Sequence, residues 1–203
     1  MDFPGDTYFT LAHSSEDLYK EKGSKFISLA FPVSSEEEAK VILSKLKKDY
    51  YDSRHICYAY IIGKDQEIYR ANDAGEPNHS AGDPILGQIR SNNLTNAMVV
   101  VVRYFGGTKL GVSGLINAYK TAAAGAIAHN KIIEQVVKEQ VILHFPYPSL
   151  NEVMRVIKDY DLDVVQQNFE IDCQMTIFVR QQLLDQVCAI FENMPDVQIR
   201  LQA

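Results

Sequence analysis

The 203-residue sequence has no tryptophan and only three cysteines, Cys57, Cys173 and Cys188. An odd number of cysteines without a C-x-x-C spacing argues against both a disulfide framework and a conventional zinc site. We therefore expect three reduced thiols, most of them buried. Apolar residues make up 46% of the chain, which is enough to form a core. Because a domain commonly has roughly 150 residues, a chain of this length forms one or two domains.

Long apolar runs are also missing. No stretch approaches the roughly 20 uninterrupted apolar residues that a membrane-spanning helix needs. The first 23 residues have neither the basic start and apolar core nor the small-residue cleavage site of a secretory signal. These absences predict a cytoplasmic protein without a membrane partner.

An excess of positive charge is the third absence, since the net charge is −6. The imbalance lies in the second part of the chain. Residues 1–131 contain 15 basic and 15 acidic side chains, whereas residues 132–203 contain 5 and 11. Because an acidic surface repels a phosphate backbone, any contact with nucleic acid is expected in the first part.

Periodicity and turn residues predict the elements of the first part. The expected strands are 25–33, 55–63, 67–73 and 97–105, and the expected helices are 34–51, 84–92 and 115–130. The unbroken apolar sequence of the last strand predicts burial on both of its faces. The alanines of the last helix predict that it lies close to its sheet.

The second part predicts a different order of elements. A strand at 135–145 and a helix at 149–160 precede strands at 163–168 and 170–180, a helix at 181–194 and a strand at 197–202. This βαββαβ order is that of a ferredoxin-like unit. The pattern and the charge change at the same place, so we predict an α+β protein with domains at 1–131 and 132–203.

Four glycines occupy nine positions between the predicted strand 97–105 and the helix that follows. They are Gly106, Gly107, Gly111 and Gly114. Glycine permits positive φ and close approach of a ligand to the main chain. The amides at a helix N-terminus attract anions, and Arg103 and Lys109 add positive charge. The sequence therefore allows an anion site, with Tyr104 or Phe105, but not both, facing the ligand.

This glycine stretch has two other interpretations, of which the sequence disfavours one and leaves the other open. A nucleotide-binding P-loop is disfavoured, because Val112 and Ser113 occupy the positions of its Lys and Ser/Thr and because G-x-G-x-x-G is absent. A purely structural role stays open, in which the glycines form a tight turn and let the helix pack on the sheet.

A second polar loop contains Asp73, Gly75, Glu76, His79 and Ser80. Neighbouring carboxylates can hold Mg²⁺ or perform acid–base chemistry, but such residues also cap turns by binding backbone amides. His79 with the His55-x-Cys57 pair could supply three zinc ligands, although no fourth is evident. A packed cysteine beside a hydrogen-bonded histidine is the alternative.

The spacing of these residues resembles the YigZ/Impact family over roughly residues 18–130. The matching motifs are H-x-C-x-A at 55–59, G-E-P at 75–77, A-G-x-P at 81–84, R-Y-F-G-G-x-K-L-G-x-x-G-L at 103–115 and A-Y at 118–119. The chain departs from the family at Ala74, often a second Asp, and at His79 and Ser80, often Gly and Thr. Asp83 occupies a position that is often basic.

The resemblance implies a fold and a field of activity. It implies a ribosomal protein S5 domain-2-like N-terminal domain, and a ferredoxin-like C-terminal domain similar to one in translation elongation factors. It also implies a role near translation, since eukaryotic relatives regulate initiation through a partner of a stress kinase. No catalytic set is established for the family, so no catalytic residue, metal or cofactor is carried over.

We therefore expect a non-enzymatic, translation-associated regulatory protein that binds RNA, the ribosome or a translation-factor partner. The expected contact residues are Arg103, Tyr104, Gly106, Gly107, Lys109, Gly111 and Gly114, with Asp73, Gly75, Glu76, His79 and Ser80 as a second loop. The alternatives are an enzyme acting on a phosphorylated small molecule or nucleotide, and a pure protein-interaction module.

Overall fold

The computed structural model of the chain describes residues 5–169 and 172–202. Its Cα positions form two compact units. The first is Tyr8–Gln135, and the second comprises the described residues within Met1–Thr7 and Val136–Ala203. These units differ from the predicted limits of 1–131 and 132–203, because residues 132–135 belong with the first unit and residues 5–7 with the second.

The described residues form eleven strands and five α-helices. The strands are β1 (Thr7–Leu11), β2 (Ser15–Glu21), β3 (Ser24–Pro32), β4 (His55–Ile62), β5 (Ile68–Asn72), β6 (Ala97–Tyr104), β7 (Ile132–Val136), β8 (Lys138–Pro146), β9 (Asp163–Asn168), β10 (Asp172–Arg180) and β11 (Gln198–Gln202). The helices are α1 (Glu36–Asp49), α2 (Gly82–Ser91), α3 (Gly111–Ala128), α4 (Leu150–Asp159) and α5 (Leu184–Glu192). None of these helices has the length and apolarity that a membrane crossing requires.

The first unit contains a five-stranded antiparallel sheet in the order β2-β3-β6-β4-β5. The central strand β6 is buried on both faces, as its apolar sequence predicts. Val99 and Val101 belong to the core beneath α2 and α3, while Met98 and Val100 belong to the core beneath α1. The predicted β4–β5 hairpin is also confirmed.

Helix α3 packs on its sheet through small side chains, as predicted. Ala118, Ala122, Ala123 and Ala126 are all fully buried. The helix begins at Gly111 rather than near Leu115, so two of the four glycines lie inside its first turn. Glycine is a poor helix former, which is why the sequence pattern concealed this turn.

The second unit has the predicted βαββαβ order, with a four-stranded sheet in the order β11-β8-β10-β9. Its core contains Val141 and Leu143 of β8, Met175 and Ile177 of β10, and residues of α4 and α5. The strand predicted at 170–180 is described from Asp172 onward, because residues 170 and 171 lie outside the described residues.

The sequence did not predict the strands β1, β2 and β7. The strand expected at 135–145 is divided into β7 and β8, and the amide of Val137 between them donates to the carbonyl of Asp6 at 2.7 Å. Strand β7 pairs with β1 in a separate two-stranded sheet. Strand β1 is short and contains two threonines, and β2 lies at a sheet edge and contains four charged residues, so neither has a strong apolar signal.

Candidate functional site

The glycine stretch connects the end of β6 to the start of α3, and its glycines serve different ends. At Gly106, a Cβ would lie 1.8 Å from the carbonyl carbon of Gly23, so only glycine fits against the β2–β3 turn. Gly107 and Gly111 have φ of 89° and 73°, which disfavours other residues, yet a Cβ on either would meet no atom within 4 Å. The turn itself therefore explains Gly106, while the space beside Gly107 and Gly111 is open.

The main-chain amides of this stretch are largely unpaired. Gly106 N donates to Ser24 Oγ at 3.2 Å. For the amides of residues 107–113, the described part of the chain supplies no loop or side-chain acceptor, and Leu110 at the N-cap of α3 provides no capping group. The first amides of a helix have no partner within the helix itself. A bare, positively polarised strip of main chain thus faces solvent beside Lys109, which is exposed and in no ion pair among the described residues.

Arg103 requires a correction to its expected role. Its side chain is only 6% exposed, and Nη1 donates to Glu76 Oε1 at 2.5 Å. The guanidinium carbon also lies 5.5 Å from the ring centre of Phe26 and 5.7 Å from that of Phe105. A buried cation must be paired, and the carboxylate of Glu76 is its partner. Arg103 therefore lies in the protein interior beside the glycine stretch, paired with Glu76, and does not face an anion in solvent.

Tyr104 is half-buried, and its hydroxyl donates to Asp52 Oδ1 at 2.8 Å. This hydrogen bond is the first cause of a raised pKa for the Tyr104 phenol. The hydroxyl is thus engaged, although the ring stays partly accessible. Phe105, by contrast, is 50% exposed at the edge of the glycine stretch.

In the second loop, Asp73 organises the main chain. Its Oδ1 accepts from the amides of Ala81 and Gly82 at 2.9 and 2.8 Å, and its Oδ2 accepts from the amide of His79 at 2.9 Å. Burial raises the pKa of Asp73, but the three amide hydrogen bonds outweigh it, and the pKa is lowered. The carboxylate therefore caps α2, whose N-cap Ala81 offers no side-chain acceptor.

Glu76 is the centre of a buried polar cluster. Besides Arg103, its Oε1 accepts from the hydroxyl of Tyr119 at 2.8 Å, and His55 Nε2 lies 3.8 Å away. The Cys57 thiol lies 3.3 Å from the Tyr119 hydroxyl and 3.0 Å from the carbonyl oxygen of Asp73. The loop 73–82 and helix α3 are thus joined through one carboxylate.

In this cluster the uncharged side chains of Cys57 and Tyr119 lie beside the Glu76–Arg103 ion pair. Burial raises the pKa of the Cys57 thiol to about 12, and burial followed by the neighbouring Cys57 and Glu76 raises the pKa of Tyr119. Since the thiolate is the reactive form of cysteine, this raised pKa favours the unreactive thiol form of Cys57 at neutral pH. The two carboxylates that an enzyme would use, Asp73 and Glu76, are both occupied by protein donors.

The remaining loop residues have local partners. His55 Nδ1 donates to the carbonyl of Ala74 at 2.9 Å, and Ser80 Oγ donates to the carbonyl of Pro77 at 2.6 Å. His79 Nδ1 lies 2.6 Å from Asp83 Oδ2. Gly75 has φ of 85° and stands near the His55 ring. His55, Cys57 and His79 do not form a metal-binding group, since no cluster of three metal-binding side chains occurs among residues 5–169 and 172–202.

Two parts of this site do not follow from the sequence reasoning. Tyr119 belongs to the A-Y motif, and an aromatic residue within an alanine-rich helix is the signal that could have identified its role. The β2–β3 turn at Gly23 also belongs to the site, and the lysines around it, which precede the strand 25–33, are the signal there.

Comparison with known proteins identifies the family. A family model described as the Impact N-terminal domain matches residues 22–127. The IMPACT family member YvyE of Bacillus subtilis is 30% identical over 175 residues, which cover 86% of this chain and 81% of YvyE. The chain belongs to the YigZ/Impact family.

Two solved structures extend the comparison to coordinates. A crystal structure of a hypothetical protein superposes on this Impact family chain with a TM-score of 0.75 over 98% of each chain, at 22% identity. At that identity the match shows a shared fold. The structure of the two-domain translational regulator Yih1 matches 64% of this chain and 49% of its own at 27% identity, but its TM-score of 0.36 is too low to compare the two arrangements.

His79 has a positive φ of 64°, a conformation that favours glycine. Its Nδ1 lies 2.6 Å from Asp83 Oδ2 in the first turn of α2, so the side chain has a partner there.

Proposed function

We propose that this protein is a non-enzymatic, translation-associated regulatory protein that binds RNA through the junction between β6 and α3. The translation part of the proposal rests on membership of the YigZ/Impact family, since the family resemblance implies a role near translation. It agrees with the description of Yih1 as a translational regulator. A ribosome or a translation-factor partner is the setting in which such a contact would act, and a cytoplasmic location stays a prediction.

The observation that supports the contact is the strip of unpaired amides at 107–113 beside exposed Lys109. Amides at a helix N-terminus bind phosphate because their N–H groups and the helix dipole both favour negative charge. The contact residues proposed here are Tyr104, Gly107, Lys109, Gly111 and Gly114. Gly106 and Arg103 hold the strip in place, and the loop 73–82 supports Arg103 through Glu76.

We also propose to assign each of the two domains to a known fold. The first domain has the ribosomal protein S5 domain-2-like fold and the second the ferredoxin-like fold, with domain limits near 1–131 and 132–203. The five-stranded sheet with α2 and α3 on one face supports the S5 domain-2-like assignment. The βαββαβ order with the sheet order β11-β8-β10-β9 supports the ferredoxin-like assignment.

The test is RNA binding as a function of salt. Wild type, Lys109→Glu and the matched control Lys45→Glu, which is exposed on α1, are titrated with labelled single-stranded RNA between about 50 and 200 mM salt. We expect Lys109→Glu to weaken binding and to reduce the slope of log K against log[salt] by about 0.7 for each phosphate that the variant no longer neutralises. The control keeps the wild-type slope.

The opposite results would overturn the proposal. Absence of RNA binding by the wild-type protein at the lowest salt would remove the phosphate contact. Equal weakening in Lys109→Glu and Lys45→Glu would show that any binding is a general effect of charge.

A further inference from the structure

Strand β2 lies at an edge of the five-stranded sheet. Its inner edge pairs with β3 along its whole length, from Ser15 to Glu21. Among the described residues, no strand pairs with its outer edge and no main-chain group of a loop bonds to it. An unpaired edge offers a row of N–H and C=O groups to a strand of another chain. The outer edge of β2 is therefore a place where a second chain can add a strand.

The side chains of β2 alternate between the two faces of the sheet. Tyr19 packs against the core beneath α2 and α3. Because successive side chains of a strand point to opposite faces, Glu16, Leu18 and Lys20 lie on the other face, on which α1 packs. Leu18 is 49% exposed there, so α1 does not cover it. An apolar side chain is thus in contact with solvent beside the open edge.

Along β2, Leu18 lies between two exposed charges of opposite sign, Glu16 and Lys20. Within residues 5–169 and 172–202, neither of them is in an ion pair. Lys20 is also the register partner of Lys25 on β3. Like charges directly opposite each other on neighbouring strands are destabilising. An acidic side chain on the open side of Lys20 would offset that repulsion.

Symmetry limits how β2 can pair with a second copy of itself. Antiparallel pairing of identical strands requires a two-fold axis perpendicular to the sheet, and this axis keeps every side chain on its own face. The axis therefore passes through a residue position, and Asp17, Leu18 and Tyr19 are the central candidates. An axis at Asp17 places two Asp17 side chains opposite each other. An axis at Tyr19 places Asp17 of each copy opposite Glu21 of the other.

An axis at Leu18 gives a complementary arrangement. Glu16 of each copy lies opposite Lys20 of the other, the two Leu18 side chains meet at the axis, and no like charges oppose each other across the contact. We infer that β2 pairs in this register with β2 of a second copy of this chain, so that two five-stranded sheets become one continuous sheet. The inference goes beyond RNA binding and does not depend on it.

The charges of β2 set both the specificity and the strength of this contact. Charged side chains on an edge strand oppose indiscriminate pairing. Here they oppose the registers centred on Asp17 and Tyr19 and favour the one centred on Leu18. A single strand edge buries less than the roughly 1,600 Å² of a standard interface. We therefore expect a weak, reversible dimer with a dissociation constant of about 10 to 300 µM.

The experiment is sedimentation equilibrium of the full chain between about 5 and 500 µM, a range that brackets the expected dissociation constant. The variants are Glu16→Lys and Lys20→Glu, each measured alone and then as an equimolar mixture. Asp65→Lys and Lys45→Glu are the matched controls, since they make the same changes of charge at exposed positions outside β2. Circular dichroism confirms that each variant is folded.

Each β2 variant alone should weaken self-association by at least about 10-fold, because two attractive cross-strand pairs become two repulsive ones. The equimolar mixture of Glu16→Lys and Lys20→Glu should associate about as tightly as the wild type. In that mixed pair, every basic side chain at these two positions faces an acidic one. The control variants should keep the wild-type dissociation constant, both alone and mixed.

Three results would overturn the inference. The first is a wild-type chain that stays monomeric up to about 500 µM. The second is a mixture of the two β2 variants that associates no better than either variant alone. The third is equal weakening by the control variants, which would assign any self-association to general charge. Since no RNA is present in these measurements, their failure leaves the proposed RNA contact unaffected.

Discussion

Burial decides what Arg103 does. At the end of a central strand, its side chain lies against Phe26 and Phe105 and is paired with Glu76. Removing one partner of a buried ion pair costs about 3 to 5 kcal/mol, because the other charge is left unpaired. The pair therefore holds the loop 73–82 against the end of β6, and the exposed positive charge of the glycine stretch comes from Lys109.

Asp73 gives a prediction about pH. Asp73→Asn should destabilise the protein at pH 7 by about 1 to 2 kcal/mol, because the carboxylate accepts three backbone amides through two oxygens and the neutral side chain of asparagine offers only one acceptor oxygen. The pKa of Asp73 is lowered in the folded protein, so its contribution is present above the ordinary pKa of 3.8 and disappears as the pH falls through the lower folded pKa. The difference in the free energy of unfolding between wild type and variant should narrow below pH 3.8.

Urea unfolding at neutral and acidic pH measures that difference. The control is Asp65→Asn, an exposed carboxylate in the turn between β4 and β5, which should leave the free energy of unfolding within about 0.5 kcal/mol. A difference for Asp73→Asn that stays constant with pH would contradict the capping role.

At the scale of elements, helix α3 shapes both the core and the candidate site. Its first turn contains Gly111 and Gly114 and leaves its amides unpaired, while its middle packs four alanines against the sheet. At Gly125 a Cβ would lie 1.9 Å from Asp17 Oδ2, which shows how closely the helix approaches β2. The small side chains therefore set the position of the helix, and with it the position of the amide strip.

Ala122→Leu tests this close approach. The added atoms have no space beneath α3, and overpacking should destabilise the protein by about 1 to 3 kcal/mol or more. Thr121→Leu, at the adjacent exposed position, should change the free energy of unfolding by no more than about 0.5 kcal/mol. Chemical denaturation of both variants measures the contrast, and equal effects would show that the helix does not lie close to the sheet.

The whole molecule consists of two units with different charge. The first contains the glycine stretch and has nearly balanced charge, with 15 basic and 14 acidic side chains in residues 8–135, and the second has the excess acid. Asp6, near the start of the chain, belongs with the second unit, where Arg180 donates to it from Nε at 2.5 Å and from Nη2 at 2.7 Å. The hydrogen bond from Arg180 is the first cause of a lowered pKa for Asp6.

Asp6→Asn should therefore destabilise the second unit selectively. A hydrogen bond to a charged group contributes about 1.5 to 3 kcal/mol, and hydrogen exchange should show reduced protection in β8 and β10 with β3 and β6 unchanged. Lys138→Gln removes an exposed ion pair with Asp163 in the same unit and should cost at most about 1 kcal/mol. An equal decrease of protection in β3 and β6 would contradict the assignment of Asp6 to the second unit.

Most elements could be predicted from the sequence because their signals are local. The apolar run of β6, the serine cap and acidic first turn of α1, and the βαββαβ order after residue 136 all follow from periodicity and turn residues. The first turn of α3 could not be predicted because its glycines are poor helix formers, and β1 and β2 could not because β1 is short and contains threonines and β2 contains charged residues. The family motif indicated the glycine junction but not which of its side chains reach solvent.

The sequence by itself determined where the glycines stand, that a helix follows a buried strand there, and that the second part of the chain holds the excess of acid. Only the tertiary structure decided that Arg103 is buried against Glu76 and that Gly106 is needed for the β2–β3 turn. The reason is distance along the chain. Ser24 and Gly106 are 82 residues apart and Glu76 and Arg103 are 27 apart, so no local period records that folding places them in contact.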